Sequence, residues 1–255
     1  MHLEYHRPQT LEEALALLAR ETPFTVPLAG GAFLNAQQRP PALPQEDVAV
    51  VDLQDLGLTG ITPRGNFVDL GATTPLQNLL KADLPQALQE AAHLETPYTR
   101  RFLQTVAGTL VAADGISPFA AAMMALDARL TLAPDDEALP LGELYPARWE
   151  HLRGKLITKV TVPSNAKLAL ETVAPSPLAR PLLVVAVAQW PSGRTRIVLG
   201  GWGDAPHLAM DGPDASGAEQ AARNAAYEAT DYRASAEYRR EVAVVLVRRA
   251  LASLE

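Results

Sequence analysis

The sequence predicts an α+β protein assembled from small subdomains, and three observations carry that prediction. Strand-like and helix-like patterns alternate within each part of the 255-residue chain rather than segregating into separate halves. The first thirty residues run strand, helix, strand, glycine turn, an order that calls for parallel strands joined by a crossover helix. Residues 182–199 instead read as two apolar runs around Pro191-Ser192-Gly193, the pattern of an antiparallel hairpin.

In chain order, residues 3–7 read as a short strand. Thr10 follows, with Glu13 three positions later as a capping box, and Leu11, Ala14, Leu15, Leu17 and Leu18 recur at helical spacing to about Arg20. Thr25 to Leu28 is a short apolar strand that runs into Ala29-Gly30-Gly31-Ala32. A Pro-rich linker, Arg39-Pro40-Pro41-Ala42-Leu43-Pro44, precedes a strand at 48–53. Phe67 to Leu70 reads as a strand ending in Gly71-Ala72-Thr73-Thr74, and Pro75–Leu80 as a short helix, since proline is tolerated in a first turn. Residues 84–94 form an amphipathic helix, 102–113 are apolar and small, and Ala120 to Ala128 reads as a buried helix with Met123 and Met124 as core filler. Arg129–Ala133 is a strand closing at the surface turn Pro134-Asp135-Asp136, and Leu156 to Pro163 alternates with the period of a strand. Residues 164–180, rich in Pro, Ala and Ser, mark a boundary. Beyond the hairpin, Gly200-Gly201 opens a loop to about Ser216, followed by helices near 216–228 and from Ser235 to Leu254. The domains are expected at 1–52, 53–165 and 166–255.

Composition removes several classes of function. Hydrophobic residues at 48% and charged residues at 20% are those of a globular chain. With no cysteine, the chain holds no disulfide, cysteine nucleophile or cysteine-ligated iron–sulfur cluster. Twenty-two Lys and Arg against 29 Asp and Glu leave a net charge of −7, which argues against nucleic acid as a partner. No secretion signal opens the sequence, and its apolar runs fall short of the ~18 residues of a membrane span, so a cytoplasmic protein is expected. His2, His6, His93, His151 and His207 lack metal-ligand spacing, and no acid–base pair suggests a catalytic side chain, so neither a metal site nor a catalytic residue is expected. Trp149, Trp190 and Trp202 read as packing residues, and Arg239-Arg240 and Arg248-Arg249 as a solvated or inter-subunit face of the last helix.

Two segments are candidates for binding. In Leu28-Ala29-Gly30-Gly31-Ala32-Phe33-Leu34, two glycines after a strand let the backbone approach a ligand, and exposed amides there make a nest for an anion such as phosphate. In Thr105-Val106-Ala107-Gly108-Thr109-Leu110, small residues and two hydroxyls would admit a flat or phosphorylated ligand. Taken alone, each is more often a plain packed turn, and neither is the G-x-G-x-x-G dinucleotide fingerprint.

Their order says more. Tyr5-His6-Arg7-Pro8 with Thr10-Leu11-Glu12-Glu13-Ala14 precedes Ala29-Gly30-Gly31, Val51-Asp52-Leu53 and Leu70-Gly71-Ala72-Thr73-Thr74. Arg101, Thr105-Val106-Ala107-Gly108, Ala125-Leu126-Asp127-Ala128 and Val160-Thr161-Val162-Pro163 follow. The series ends on Asp231-Tyr232-Arg233-Ala234-Ser235-Ala236-Glu237-Tyr238-Arg239-Arg240 and Val247-Arg248-Arg249-Ala250-Leu251. This series resembles the FAD-binding medium subunit of the molybdenum hydroxylases, the type found in carbon monoxide dehydrogenase flavoproteins and xanthine dehydrogenase FAD domains.

The resemblance implies a vanillyl-alcohol-oxidase (PCMH)-type FAD-binding fold, with two α/β subdomains clamping FAD and a small C-terminal α+β domain, with an antiparallel sheet, closing over the flavin. It implies that the Ala29–Gly31 and Thr105–Gly108 turns hold the FAD pyrophosphate from opposite sides, and that Leu156 presents its backbone near the isoalloxazine ring. It further implies a molybdenum-cofactor large subunit and an iron–sulfur small subunit as partners in a hetero-oligomer, with an external acceptor such as NAD, a quinone or dioxygen. Ala107 and Pro118 stand where that family carries glycine and an acid, which keeps a second expectation open: a scaffold subunit that retains the fold and binds no FAD.

Overall fold

The computed structural model describes residues 3–31, 48–177 and 179–255. Ala32, Phe33, Leu34 and the Pro-rich stretch at 39–44 lie outside the described residues. By the density of its internal contacts the chain divides into two units. The first holds residues up to 78, 97–112 and 129–161, and the second holds 79–96, 113–128 and 162–255.

The opening elements are β1 (Leu3–His6), α1 (Leu11–Leu18), β2 (Phe24–Leu28) and β3 (Val48–Asp52). They make a three-stranded parallel sheet in the order β1-β3-β2, so the strands flanking α1 are not neighbours and β3 lies between them. Every residue of β3 is buried, which suits a central parallel strand covered on both faces. On one face Val51 meets Ala14 and Leu18 of α1, and on the other Val48 and Val50 meet Val26. Thr10 caps α1 by accepting from the Glu13 amide at 3.2 Å, while the Glu13 carboxylate reaches back to the Gln9 amide at 3.0 Å.

Next come β4 (Ile61–Arg64), β5 (Phe67–Gly71), α2 (Leu76–Leu79), α3 (Gln86–Glu95), α4 (Tyr98–Arg101), α5 (Val106–Ala112) and α6 (Pro118–Ala125). They are followed by β6 (Arg129–Ala133), β7 (Glu137–Pro140), α7 (Leu141–Leu144), α8 (Arg148–His151) and β8 (Leu156–Pro163). The five strands form one sheet in the order β4-β5-β8-β6-β7. Its outer strands β4 and β7 are short and mostly exposed, so they carry little of the apolar alternation by which a strand is read from sequence.

The last elements are β9 (Lys167–Val173), β10 (Leu183–Gln189), β11 (Thr195–Gly200), β12 (His207–Gly212), α9 (Ala218–Ala225) and α10 (Ala236–Leu254). The strands form an antiparallel sheet in the order β12-β11-β10-β9. β10 is a near-continuous apolar run because both faces are covered. Leu183, Val185 and Val187 meet α9 and α10, and α6, buried throughout and rich in alanine, lies against β10 and β11.

Three sequence expectations are corrected in this unit. The segment taken as a boundary at 164–180 contains β9, whose residues pair with β10 along their whole length. The segment taken as a loop after Gly201 contains β12, a largely exposed strand held to β11 by ion pairs of Asp211 with Arg194 at 2.8 Å and Arg196 at 2.6 Å. Neither strand carries the run of buried apolar residues that marks one in a sequence.

Arg239 is the third correction. It lies on α10 but is fully buried, not solvated. Its guanidinium donates to the carbonyls of Leu182, Ala229, Ala234 and Gly201 and to both oxygens of Asp231, and it stands over the Trp202 ring at 5.7 Å.

Glu95 ends α3 and caps α6, its carboxylate accepting from the Ser117 hydroxyl at 2.7 Å and the Phe119 amide at 3.1 Å. Burial raises its pKa above the ordinary carboxylate value, as does nearby Asp114, against those two hydrogen bonds and the attraction of Arg180. The folded state therefore holds the Glu95 proton more tightly than the unfolded chain. Its contribution to stability is greatest in acid and declines as pH rises from the ordinary carboxylate pKa through the raised folded one. Glu95→Gln should flatten that part of a stability-versus-pH curve measured by urea unfolding. A curve of unchanged slope would show that Glu95 is not the group responsible.

Candidate functional site

The first glycine turn follows β2 directly. Leu28 is paired with Asp52, and the Leu53 amide donates to the Leu28 carbonyl at 2.9 Å, which fixes where the chain leaves the sheet. This is the carboxyl edge of a parallel sheet, the usual position of a ligand crevice in such folds. Asp52 is buried there, accepting from the Tyr5 hydroxyl at 2.5 Å and the Gln54 amide at 3.0 Å. The bond to Asp52 holds the Tyr5 phenol above its ordinary pKa.

Ala29 packs against the cluster of Ala14, Leu18, Val51, Leu53 and Leu156, so the Leu156 side chain is committed to the core. Gly31 has φ +71°, a left-handed conformation that favours glycine. At Gly30 the requirement is space: a Cβ there would stand 1.5 Å from the carbonyl oxygen of Leu103. The turn is therefore pressed backbone to backbone against the connection from α4 to α5, two residues before the second sequence-predicted segment. No described residue accepts a hydrogen bond from the amide of Gly30 or Gly31.

The second segment differs from its sequence reading. Thr105–Gly108 is not a glycine turn but the start of α5, and neither Ala107 nor Gly108 has a positive φ. Its amides are already bound: Val106 donates to Thr74 O at 2.9 Å, Ala107 to Ala72 O at 3.0 Å, and Thr109 to Thr105 O at 2.8 Å. The Gly108 amide faces Thr105 Oγ1 at 3.3 Å. The 72–74 strand exit supplies carbonyls to a helix start whose first amides have no intrahelical partners. It is itself held in place by the buried Thr74 hydroxyl, which bridges Gly60 N and O at 2.9 Å each. An alanine at 107 therefore sits without strain.

Side chains of this stretch tell a different story from its amides. Thr109 Oγ1 and Gln104 Oε1 are enclosed and have no hydrogen-bond partner, as is Gln77 Oε1 at the start of α2. Leaving such a group unsatisfied costs about 1–3 kcal/mol, and these three oxygens are covered by protein. Gln104 and Gln77 were not among the sequence candidates. Nothing about an isolated glutamine marks it, and only the enclosure of its oxygen does.

A polar cofactor with a diphosphate suits the first turn, whose Gly30 and Gly31 amides no described residue engages. No helix among the described residues is long and apolar enough to cross a membrane.

Comparisons with known proteins bear on what that cofactor is. Residues 1–165 match the family model described as the FAD binding domain in molybdopterin dehydrogenase. The chain is 29% identical over 251 residues to the uncharacterized protein YgfM of Escherichia coli, covering 96% of this chain and 93% of the relative. It is 26% identical to the carbon monoxide dehydrogenase medium chain of Afipia carboxidovorans, covering 97% and 95%. Among solved structures, a chain of the Cu,Mo-CO dehydrogenase in its cyanide-inactivated form superposes with a TM-score of 0.81 at 26% identity, covering 99% of this chain and 97% of that one. Quinoline 2-oxidoreductase from Pseudomonas putida 86 shares the fold, with a TM-score of 0.77 at 19% identity over 99% of this chain and 96% of that one.

Proposed function

The chain belongs to the family of FAD-binding domains in molybdopterin dehydrogenases, and from that premise we propose that it is the FAD-carrying electron-transfer subunit of a molybdenum hydroxylase-like oxidoreductase. FAD is its cofactor. When bound, FAD supplies a redox centre that accepts and returns electrons at a potential tuned by its surroundings. The chain's own part is to position that group. The Gly30 and Gly31 amides are available to the diphosphate, the Ala29 side chain anchors the turn on the core cluster that includes Leu156, and Asp52 with Tyr5 fixes the sheet edge from which the turn departs. The observation that carries the reading is the contact of Gly30 with Leu103, which sets the first candidate segment against the connection leading into the second, within one unit of a chain that matches an FAD-binding family.

The three-part organisation at 1–52, 53–165 and 166–255 belongs to this proposal, supported by a separate sheet in each part. So do the partners. The chain has no cysteine, so cysteine-ligated iron–sulfur clusters feeding the flavin would reside on a small subunit and the molybdenum cofactor on a large one. An external acceptor such as NAD would take the electrons in a cytoplasmic hetero-oligomer. The bound amides of α5 favour a second reading, a scaffold subunit that takes no flavin, and one experiment separates the two. Purified protein incubated with excess FAD and desalted should keep about one flavin per chain by its visible spectrum and melt at higher temperature with FAD than without. A colourless protein whose melting is indifferent to FAD would leave the scaffold reading standing.

A further inference from the structure

One face of α10 is covered: Ala243, Leu246, Val247, Ala250 and Leu254 enter the core of the second unit. On the opposite face Tyr238, Glu241, Val245, Arg248 and Ala252 recur at spacings of three and four residues, and all five are exposed. Tyr238 is 41% and Val245 44% exposed. That alternation of three and four is the spacing of a seam by which one helix packs along another. With 19 residues, α10 offers a seam about 28 Å long.

The seam is also ordered in charge. Glu241 lies one turn before Val245 and Arg248 nearly one turn after it. Each already meets the opposite charge on α9: Arg223 donates to Glu241, and Arg248 to Glu219 at 2.9 Å. The two seam side chains nevertheless stay largely in water, Glu241 at 63% and Arg248 at 66% exposure. A second α10 laid antiparallel, with Val245 on a two-fold axis, brings Glu241 of each copy opposite Arg248 of the other and Tyr238 opposite Ala252. Charges then alternate across the contact in the order Arg223, Glu241, Arg248, Glu219, and the axis repeats that order on its other side. A parallel pair would set Glu241 against Glu241 and Arg248 against Arg248. The face is thus complementary to itself in one orientation.

We propose that the outer face of α10 docks a second copy of this chain, the two α10 helices pairing antiparallel about Val245. This surface lies within the second unit and does not depend on the FAD reading. One helix pair makes a small interface, so a dissociation constant in the micromolar range is expected, rising with added salt because the flanking contacts are ionic.

The test is sedimentation equilibrium of the full chain, with a thermal melt of each variant as the control for folding. Glu241→Arg and Arg248→Glu each set like charges face to face twice, and each should raise the dissociation constant more than about tenfold. The double variant Glu241→Arg/Arg248→Glu restores opposite charges between copies, and it should return to within about threefold of the unsubstituted chain. Within one chain the double variant still opposes Arg223 and Glu219 to like charges, so recovery cannot come from the α9 contacts. Val245→Glu, at an exposed position that the fold tolerates, sets two carboxylates together on the axis and should leave the chain monomeric.

An unsubstituted chain that stays monomeric up to about 100 μM overturns the proposal. So does a dimer that all four variants form equally well, since its contact then lies elsewhere. If α10 amides gain protection from hydrogen exchange only in a complex with a different subunit, that subunit is the occupant and the pairing of copies is excluded.

Discussion

Arg239→Met is expected to unfold the second unit at a temperature on the order of 10 °C below that of the unsubstituted protein, a loss of about 3–5 kcal/mol. Arg239 is wholly enclosed, and its guanidinium serves five separate places in the chain. Nε donates to Leu182 O at 3.0 Å, just before β10, and Nη2 donates to Gly201 O at 3.1 Å, just after β11. The carbonyls of Ala229 and Ala234 and the carboxylate of Asp231 belong to the connection from α9 to α10. Methionine matches much of the length but leaves half-buried Asp231 beside no cation and takes the guanidinium donors from four carbonyls. Lysine keeps the charge and loses the planar fork that reaches all of these acceptors, so Arg239→Lys should lose most of the same stability. The measurement is a thermal and urea melt with a probe in the C-terminal sheet, for which Trp202 fluorescence serves. A methionine variant that melts within two degrees of the unsubstituted protein would mean the guanidinium is incidental to this unit.

Gly30→Ala is expected to lower FAD affinity more than a hundredfold, and Gly108→Ala to leave it within about tenfold. The added methyl at position 30 would lie 1.5 Å from Leu103 O and 2.5 Å from its carbonyl carbon, both main-chain atoms that cannot turn aside. The turn must then move away from α5, at an overpacking cost of about 1–3 kcal/mol or more and with loss of the amide geometry. At Gly108 the nearest obstacle is Thr105 Oγ1 at 2.8 Å, a side-chain atom that rotates, and the helical backbone there accepts alanine. Calorimetric titration of FAD into each variant, with cofactor-free melts as a control for folding, checks the contrast. Equal losses at both positions would place the diphosphate contacts on α5 after all.

The sequence was legible where structure depends on near neighbours. The Thr10 cap and its Glu13 partner, the alternation of Leu156–Pro163, and the hairpin around Ser192 lie where the residue pattern puts them. The order of short motifs also carried the family, because each motif is a local turn or cap that the chain writes out in full. The candidate site was legible in part: the turn at Ala29–Gly31 could be found by its glycines, whereas the approach of Leu103 to Gly30 could not.

What the chain by itself determined about this protein is its α+β class, its family and the location of its first glycine turn, all properties of residues a few positions apart. The tertiary structure alone decided three things. α5 begins at Val106 with its amides taken by the carbonyls of Ala72 and Thr74, Gly30 is forced to be glycine by Leu103, and Arg239 is interior rather than solvated. Each depends on a hydrogen-bond acceptor or a steric wall lying several to many residues away along the chain. Such partners meet only once the sheets have closed, so no local pattern can announce them.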